Sequence, residues 1–256
     1  MFTRAIVRPP GRSFAGGLTT VELGTPDYEI ALWQHNAYCE VLRSLGLSLT
    51  VLPEDPQYPD STFVEDTAIL TNRFAVITRP GAASRRGETN AIQTELAKSF
   101  TEIHSIEIPG TVDGGDICEA GHHFFIGISG RTNEEGAKQL AAILAIFDYT
   151  SSFINIRHLK SILHLKSGLS CLGERKLVVI DELADMDQFK RYELIKVDSG
   201  DEYAANCVLV NDSVLVAAGY PSFSDRLKTL GRRIVEVEMS EFQKMDGGLS
   251  CLSLRF

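Results

Sequence analysis

Basic residues are outnumbered: 34 acidic side chains against 25 lysines and arginines leave a net charge of −9. That excludes the concentrated cationic face needed by a nucleic-acid-binding protein or a protein held on an anionic membrane. No stretch approaches the 18 apolar residues of a spanning helix, and the opening "MFTRAIVRPP" has arginine and proline where a secretory signal needs an apolar run. A cytoplasmic protein is the expectation. Cysteine is sparse: Cys39, Cys118, Cys171, Cys207 and Cys251 are odd in number and scattered, with no C-x-x-C pair. This fits neither a disulfide framework nor a structural zinc site, so most should be buried thiols. No low-complexity tract, linker or shift of composition marks a boundary, and residues 1–256 read as one domain.

What is present is a recurring order of strand, strand, helix, strand. It appears in "FVEDTAIL", "RFAVITR", "ETNAIQTELAKSF" and "IHSIEIP", and again in "GDICEA", "HHFFIGIS", "TNEEGAKQLAAILAIF" and "YTSSFINI". A third pass runs through "ILHLKSGLSCLG", "RKLVVID", a short helix around Met186 to Lys190, and "YELIKV". A fourth is "ANCVLVN", "SVLVAAG", "SFSDRLKTLG" and "RRIVEVEM". The fifth joins both ends of the chain: "CLSLRF" beside "TRAIVR", then the helix "PDYEIALWQHNAYCEVLRSLG" and the strand "LSLTVL". Thr25 is the expected N-cap of that helix, Pro26 its first residue and Gly46 its stop. Units of this length, each a small sheet with a helix, point to a radial α/β architecture; the rival is a mixed α/β sandwich.

Glu65 and Asp66, then Asp116, His164, Asn206 and Cys251, stand at the start of the first strand of successive units, about 50, 48, 42 and 45 residues apart. In a closed ring they converge on the axis. This accounts for the echo of "VDGGDICEAG" in the terminal "MDGGLSCLSLRF", which become two spokes of one wheel.

A thiol, an imidazole and carboxylates at one axis suit nucleophilic catalysis, with the histidine moving protons on the leaving group. The plainer readings are a buried strand thiol at Cys251 and a satisfied core histidine at His164, between Leu163 and Leu165. In "YPDSTFVEDTAIL", Asp60, Glu65 and Asp66 lie close together, and at least one of the last two should face inward and seek a cationic partner such as a guanidinium. "RPGAASRRGE" supplies Arg85 and Arg86, and "SGRTNEEG" supplies Arg131. These are either surface charges or a clamp on a ligand carboxylate. Acids for a guanidinium and arginines for a carboxylate together describe arginine or a derivative. The Gly- and Thr-rich "SFAGGLTTVELG", residues 13–24, is either an ordinary loop or a lid over the site.

Over nearly its whole length the chain resembles the dimethylarginine dimethylaminohydrolases of the guanidino-group modifying superfamily. The resemblance rests on "STFVEDTA", "RPGAASRRGE", "DGGDI", "FFIGISGRTNEEG", "LHLKS", "EYAANCVLVN" and "MDGGLSCLS" in that order. It implies a five-bladed α/β propeller, or pentein, of ββαβ repeats with pseudo-five-fold symmetry. It also implies hydrolysis of asymmetric dimethylarginine or monomethylarginine to citrulline and an amine, through a covalent thiouronium. Cys251 would be the nucleophile, His164 the general acid and base, and Asp116 the acid supporting the histidine. Asp66 would pair with the guanidinium, with Glu65 beside it, while Leu18, Asp60, Arg85, Arg131 and Met245 contact the substrate or its amino-acid end. Arg86 is an alternative to its neighbour Arg85. Branched aliphatic residues stand at the Met245 position in the family. No cofactor or metal is implied; the partner is the small-molecule substrate, without nucleic acid or membrane, and a homodimer is allowed. Arginine deiminases carry a second guanidinium-binding aspartate where this chain has Lys166, and a helical insertion. The alternatives are a deiminase-like or amidinotransferase-like enzyme on another guanidine or amidine, and a non-catalytic propeller that binds a macromolecule.

Overall fold

The computed structural model describes residues 1–173 and 175–256. Every apolar run with strand alternation becomes part of a three-stranded sheet, and there are five such sheets among the described residues, each separate from the others. In every sheet the middle strand pairs antiparallel with the strand before it and parallel with the one after it, and the parallel crossover carries a helix, as parallel pairing requires.

The first unit is Ala68–Leu70, Ala75–Ile77, helix Thr89–Leu96 and Ile103–Ser105. The second is Ile117–Ala120, His123–Ile128, helix Glu134–Ile146 and Thr150–Asn155. Leu169–Cys171, Lys176–Val179, helix Asp181–Ala184 and Glu193–Lys196 form the third; the helix expected around Met186 to Lys190 is there only a 3₁₀ turn, Asp187–Phe189. The fourth is Val208–Val210, Ser213–Ala217, helix Pro221–Lys228 and Arg233–Val237. In the fifth the chain ends meet as the sequence suggests: Arg4–Val7 pairs antiparallel with Leu254–Arg255 and parallel with Ser48–Val51.

Middle strands such as Ala75–Ile77 and Ser213–Ala217 are buried at every residue, because the helix covers one face and a neighbouring unit the other. The long helix of the fifth unit starts later than its sequence suggests. It spans Tyr28–Ser44, and Asp27 rather than Thr25 is the cap, its Oδ1 accepting from Ile30 N at 3.0 Å. Gly46 does close it, with φ +90°.

One further difference places the site. The chain entering each first strand is wound into a short turn: Val64–Thr67, Gly114–Asp116, Leu165–Gly168, Glu202–Ala205 and Ser250–Leu252. Val64, Glu65, Asp66 and Thr67 are all buried, which one edge strand with alternating faces cannot achieve. The turns touch one another in sequence. Val64–Thr67 meets Gly114–Asp116, which meets Leu165–Gly168, which meets Glu202–Ala205; Ser250–Leu252 packs back on Val64–Thr67. Between the fourth and fifth units, Ser250 N donates to Asn206 Oδ1 at 2.9 Å and Asn206 Nδ2 to Ser250 Oγ at 3.0 Å. No helix among the described residues is long and apolar enough to cross a membrane.

Candidate active site

The contacting turns form a partition with a cavity on each side. Close sequence neighbours at these turns face opposite ways: Asp66, His164 and Cys251 line a narrow cavity of about 20 Å³, whereas Glu65, Lys166 and Ser250 line a wide one of about 600 Å³. Leu18, Asp60, Arg85, Arg131 and Met245 also line the narrow cavity, so eight of the ten expected site residues come together there. The doubled glycines sit where neighbouring turns press closest. A Cβ on Gly115 would stand 2.8 Å from the His164 ring, and one on Gly248 would stand 2.5 Å from the Asn206 side chain.

Asp116 and Glu65 are placed differently from expectation. The carboxylate on the imidazole is Asp113, whose Oδ2 lies 3.1 Å from His164 Nε2. Asp116 instead accepts from Leu165 N at 3.0 Å and from Ser129 Oγ at 2.6 Å. It fixes the backbone beside His164 rather than the ring. Both acids flank the same Gly-Gly pair, and the 3₁₀ winding of Gly114–Asp116 decides which one reaches the imidazole. A signal for Asp113 was present in the sequence, since it opens the Asp-Gly-Gly that recurs at Asp246, and Asp246 lines the same cavity. Glu65 turns to the wide cavity, where it pairs with Lys166 Nζ and accepts from Ser250 Oγ at 2.7 Å. Lys166 thus stands on the far side of the partition from Asp66.

Electrostatics give the site a definite resting state. Burial disfavours charge on His164, but Asp66, Asp116 and the hydrogen-bonded Asp113 outweigh it and raise the imidazole to about 9. It is an imidazolium at neutral pH, and Nε2–H donates to Asp113. Cys251 moves the other way. Burial, then the negative Glu65 and Asp66, push the thiol up to about 12, although Gly248 N–H points at Sγ from 3.4 Å. The cavity is therefore lined by a neutral thiol and a charged histidine.

Asp66 is kept ionised despite its burial, by His164, by Arg85 and by Gly115 N, which donates to Oδ1 at 2.8 Å. Arg85 Nη1 donates to Oδ2 at 2.5 Å. The remaining Arg85 donors go to Glu88 and to the carbonyls of Asp60 and Phe63. Arg86 is turned away, with Nε on Pro80 O at 3.2 Å, so of the adjacent pair Arg85 is the inward member. Arg131 lines the cavity, where its charge faces Asp60, and its side chain makes no hydrogen bond or ion pair among the described residues. Asp66, Asp113 and His164 also bring three potential metal-ligand atoms within 4.8 Å, but the imidazolium and Arg85 already supply the positive charge there.

The segment 13–24 reaches the cavity at Leu18. Leu18 N donates to Asp60 Oδ1 at 2.9 Å, Thr19 Oγ1 to Lys244 O at 2.9 Å, and Thr20 N and Oγ1 both to the carboxylate of Asp246. The carbonyls of Leu18 and Met245 accept no hydrogen bond among the described residues.

A family model described as "N,N dimethylarginine dimethylhydrolase, eukaryotic" matches residues 26–252. A Pseudomonas aeruginosa protein named N(G),N(G)-dimethylarginine dimethylaminohydrolase is 46% identical over 257 residues, covering all of both chains. A solved structure of a cysteine-to-serine variant of that organism's enzyme, complexed with citrulline, superposes with a TM-score of 0.97 at 45% identity over the whole of both chains. A dimethylarginine dimethylaminohydrolase variant with glycine in place of a histidine, solved as an adduct with S-methyl-L-thiocitrulline, gives 0.96 at 45% identity, again over both whole chains.

Proposed function

The chain belongs to the dimethylarginine dimethylaminohydrolase family and is a hydrolase of the guanidino C–N bond of dimethylarginine that works through a cysteine; from that premise we propose that Cys251 is this cysteine, with His164 and Asp113 as its proton-transfer pair. The observation that carries the assignment is the convergence of Cys251, His164 and Asp66 on one narrow cavity from three different units. We propose further that the five units are the blades of a single α/β propeller, with their inner turns at its hub.

Asp66 draws the substrate guanidinium against Sγ, while Arg131 takes the carboxylate and the Leu18 and Met245 carbonyls, with Asp60, take the α-amino group. The bound cation lowers the thiol pKa, and the proton leaves to solvent because His164 is already charged. The thiolate attacks the guanidinium carbon. As that adduct collapses, the imidazolium protonates the departing dimethylamine, leaving an S-alkylthiouronium and a neutral imidazole. His164 then takes a proton from water, the hydroxide adds to the same carbon, and expulsion of the thiolate, which takes up the hydroxyl proton, releases citrulline and restores the thiol and the imidazolium. Lys166, standing where the deiminases have an aspartate, is held by Glu65 beyond the partition. Only Asp66 therefore grips the guanidinium, which leaves room for N-methyl groups. Release of citrulline and dimethylamine from asymmetric dimethylarginine, faster than release of ammonia from arginine, tests this reading; a preference for arginine would overturn it.

The two pKa shifts set the pH profile. The reactive form requires a thiolate and an imidazolium together. Below about 9, His164 stays charged and each pH unit raises the thiolate tenfold; above it, further thiolate is offset by loss of the imidazolium until Cys251 titrates near 12. Measured kcat/KM should climb with pH and level off near 9. A preformed thiolate–imidazolium pair would give a profile already flat between 7 and about 9.

A cavity of about 20 Å³ has space for about one water, so substrate entry needs the 13–24 segment to lift. Asp246 is its clasp. Asp246→Ala should make this segment the first site of limited proteolysis and raise KM several-fold with Tm nearly unchanged. Unaltered cleavage would show that the clasp does not hold the lid.

A further inference from the structure

We propose that Glu88 is a positioning residue that sets the pocket's preference for a cationic over a neutral ligand end-group, by neutralising Arg85 so that Asp66 keeps its negative charge for the substrate. The inference rests on the reading of Asp66 as the guanidinium anchor and extends it to a residue that does not touch the cavity.

Arg85 and Glu88 are both almost wholly buried and lie three residues apart in the 3₁₀ turn Ala83–Glu88, where side chains at that spacing eclipse one another. Glu88 Oε1 and Oε2 each lie 3.1 Å from Arg85 Nε, and Oε2 lies 2.8 Å from Nη2. Nη2 also reaches Phe63 O at 3.1 Å and Asp60 O at 3.3 Å. Only Nη1 serves Asp66. The guanidinium is thus clamped between two carboxylates, with the larger share of its hydrogen bonds on the one remote from the site.

This matters because a lone Arg85 would cancel Asp66. One buried cation beside one buried anion presents no net charge to an incoming guanidinium, and in a poorly solvated pocket that loss is weakly screened. With Glu88 ionised, the trio carries a net negative charge, and its exposed end is Asp66. The other charged groups facing Glu88 are Asp60 and Arg8, and Arg8 is itself paired with Asp55 at 3.5 Å. Burial lifts the Glu88 carboxyl to about 7, against the pull of Arg85, so it is ionised in mildly alkaline solution.

Dimethylarginine and citrulline share a backbone carboxylate and amine and differ in the charge of the end-group, which makes their affinity ratio a direct readout. In a Cys251→Ser background at pH 8, where no turnover interferes, calorimetry should show Glu88→Gln weakening dimethylarginine about tenfold while citrulline changes less than about twofold. Glu88→Asp should recover part of the loss. Equal weakening of both ligands, or of neither, would overturn the proposal, since a merely structural residue cannot distinguish them. If Glu88→Gln folds poorly, the pair Glu88→Gln with Arg85→Met decides. Removing the guanidinium with its partner should return the ratio to that of the parent, and a ratio left tenfold shifted would refute the charge argument. Failure of the wild-type protein to turn over dimethylarginine would count against the proposed reaction alone, because the binding ratio is measured without chemistry.

Discussion

Cys251→Ser is expected to lower turnover of dimethylarginine by roughly 10⁴- to 10⁶-fold while leaving substrate affinity within a few-fold of the parent. The size of the loss follows from what the serine cannot do. A hydroxyl is much less acidic than a thiol, and the bound guanidinium that brings Sγ into its ionising range cannot do the same for Oγ. His164, already protonated, is no base for it either. Affinity should be preserved because the groups proposed to hold the substrate, Asp66, Arg131 and the Leu18 and Met245 carbonyls, are separate from the sulfur. Steady-state rates with a product-specific assay, together with calorimetry on the same variant, separate the two effects. A variant that lost affinity in proportion to rate would mean that Cys251 is a binding residue.

The second large effect distinguishes the two aspartates of the Asp-Gly-Gly-Asp turn. Asp113→Asn should lower kcat by about 10²- to 10⁴-fold, because it removes the only hydrogen-bonded anion on the imidazole among the described residues and with it the orientation of the proton donor. Asp116→Asn leaves that hydrogen bond in place. Its amide cannot accept from both Leu165 N and Ser129 Oγ, so the loss is paid in stability, about 1–3 kcal/mol for a buried donor left unmet. Both substitutions remove negative charge near His164, so both should move the break in the kcat/KM profile below 9; only the first should lower kcat by orders of magnitude. The reverse order of effects on kcat would restore Asp116 as the partner of the histidine.

The sequence could not separate these two acids because both lie within hydrogen-bond reach of one turn, and its winding is set by neighbours remote in the chain. Gly114, for example, packs directly against the Glu65 carbonyl. Glu65 and Asp66 are likewise indistinguishable in the sequence: both lie in the turn Val64–Thr67, whose winding sends one to each cavity. Arg85 and Arg86 differ only in which one eclipses Glu88. What was legible is what depends on local pattern. The alternation of the five middle strands, the helices between them and the pairing of Arg4–Val7 with Leu254–Arg255 all follow from apolar period and repeat spacing. Cys251 and His164 were legible because they fall at equivalent points of that repeat. The strand expected over "FVEDTAIL" is shorter in the structure, because Val64–Thr67 is wound into a turn in which four successive side chains are buried.

Chemical quench of the enzyme with dimethylarginine during turnover, followed by mass spectrometry of its peptides, probes the covalent step itself. A mass gain equal to the substrate less dimethylamine is expected on the peptide carrying Cys251, absent from Cys251→Ser. Its finding on Cys118, Cys171 or Cys207 instead, or full turnover with no adduct on any cysteine, would contradict the placement of the nucleophile at the junction of the five turns.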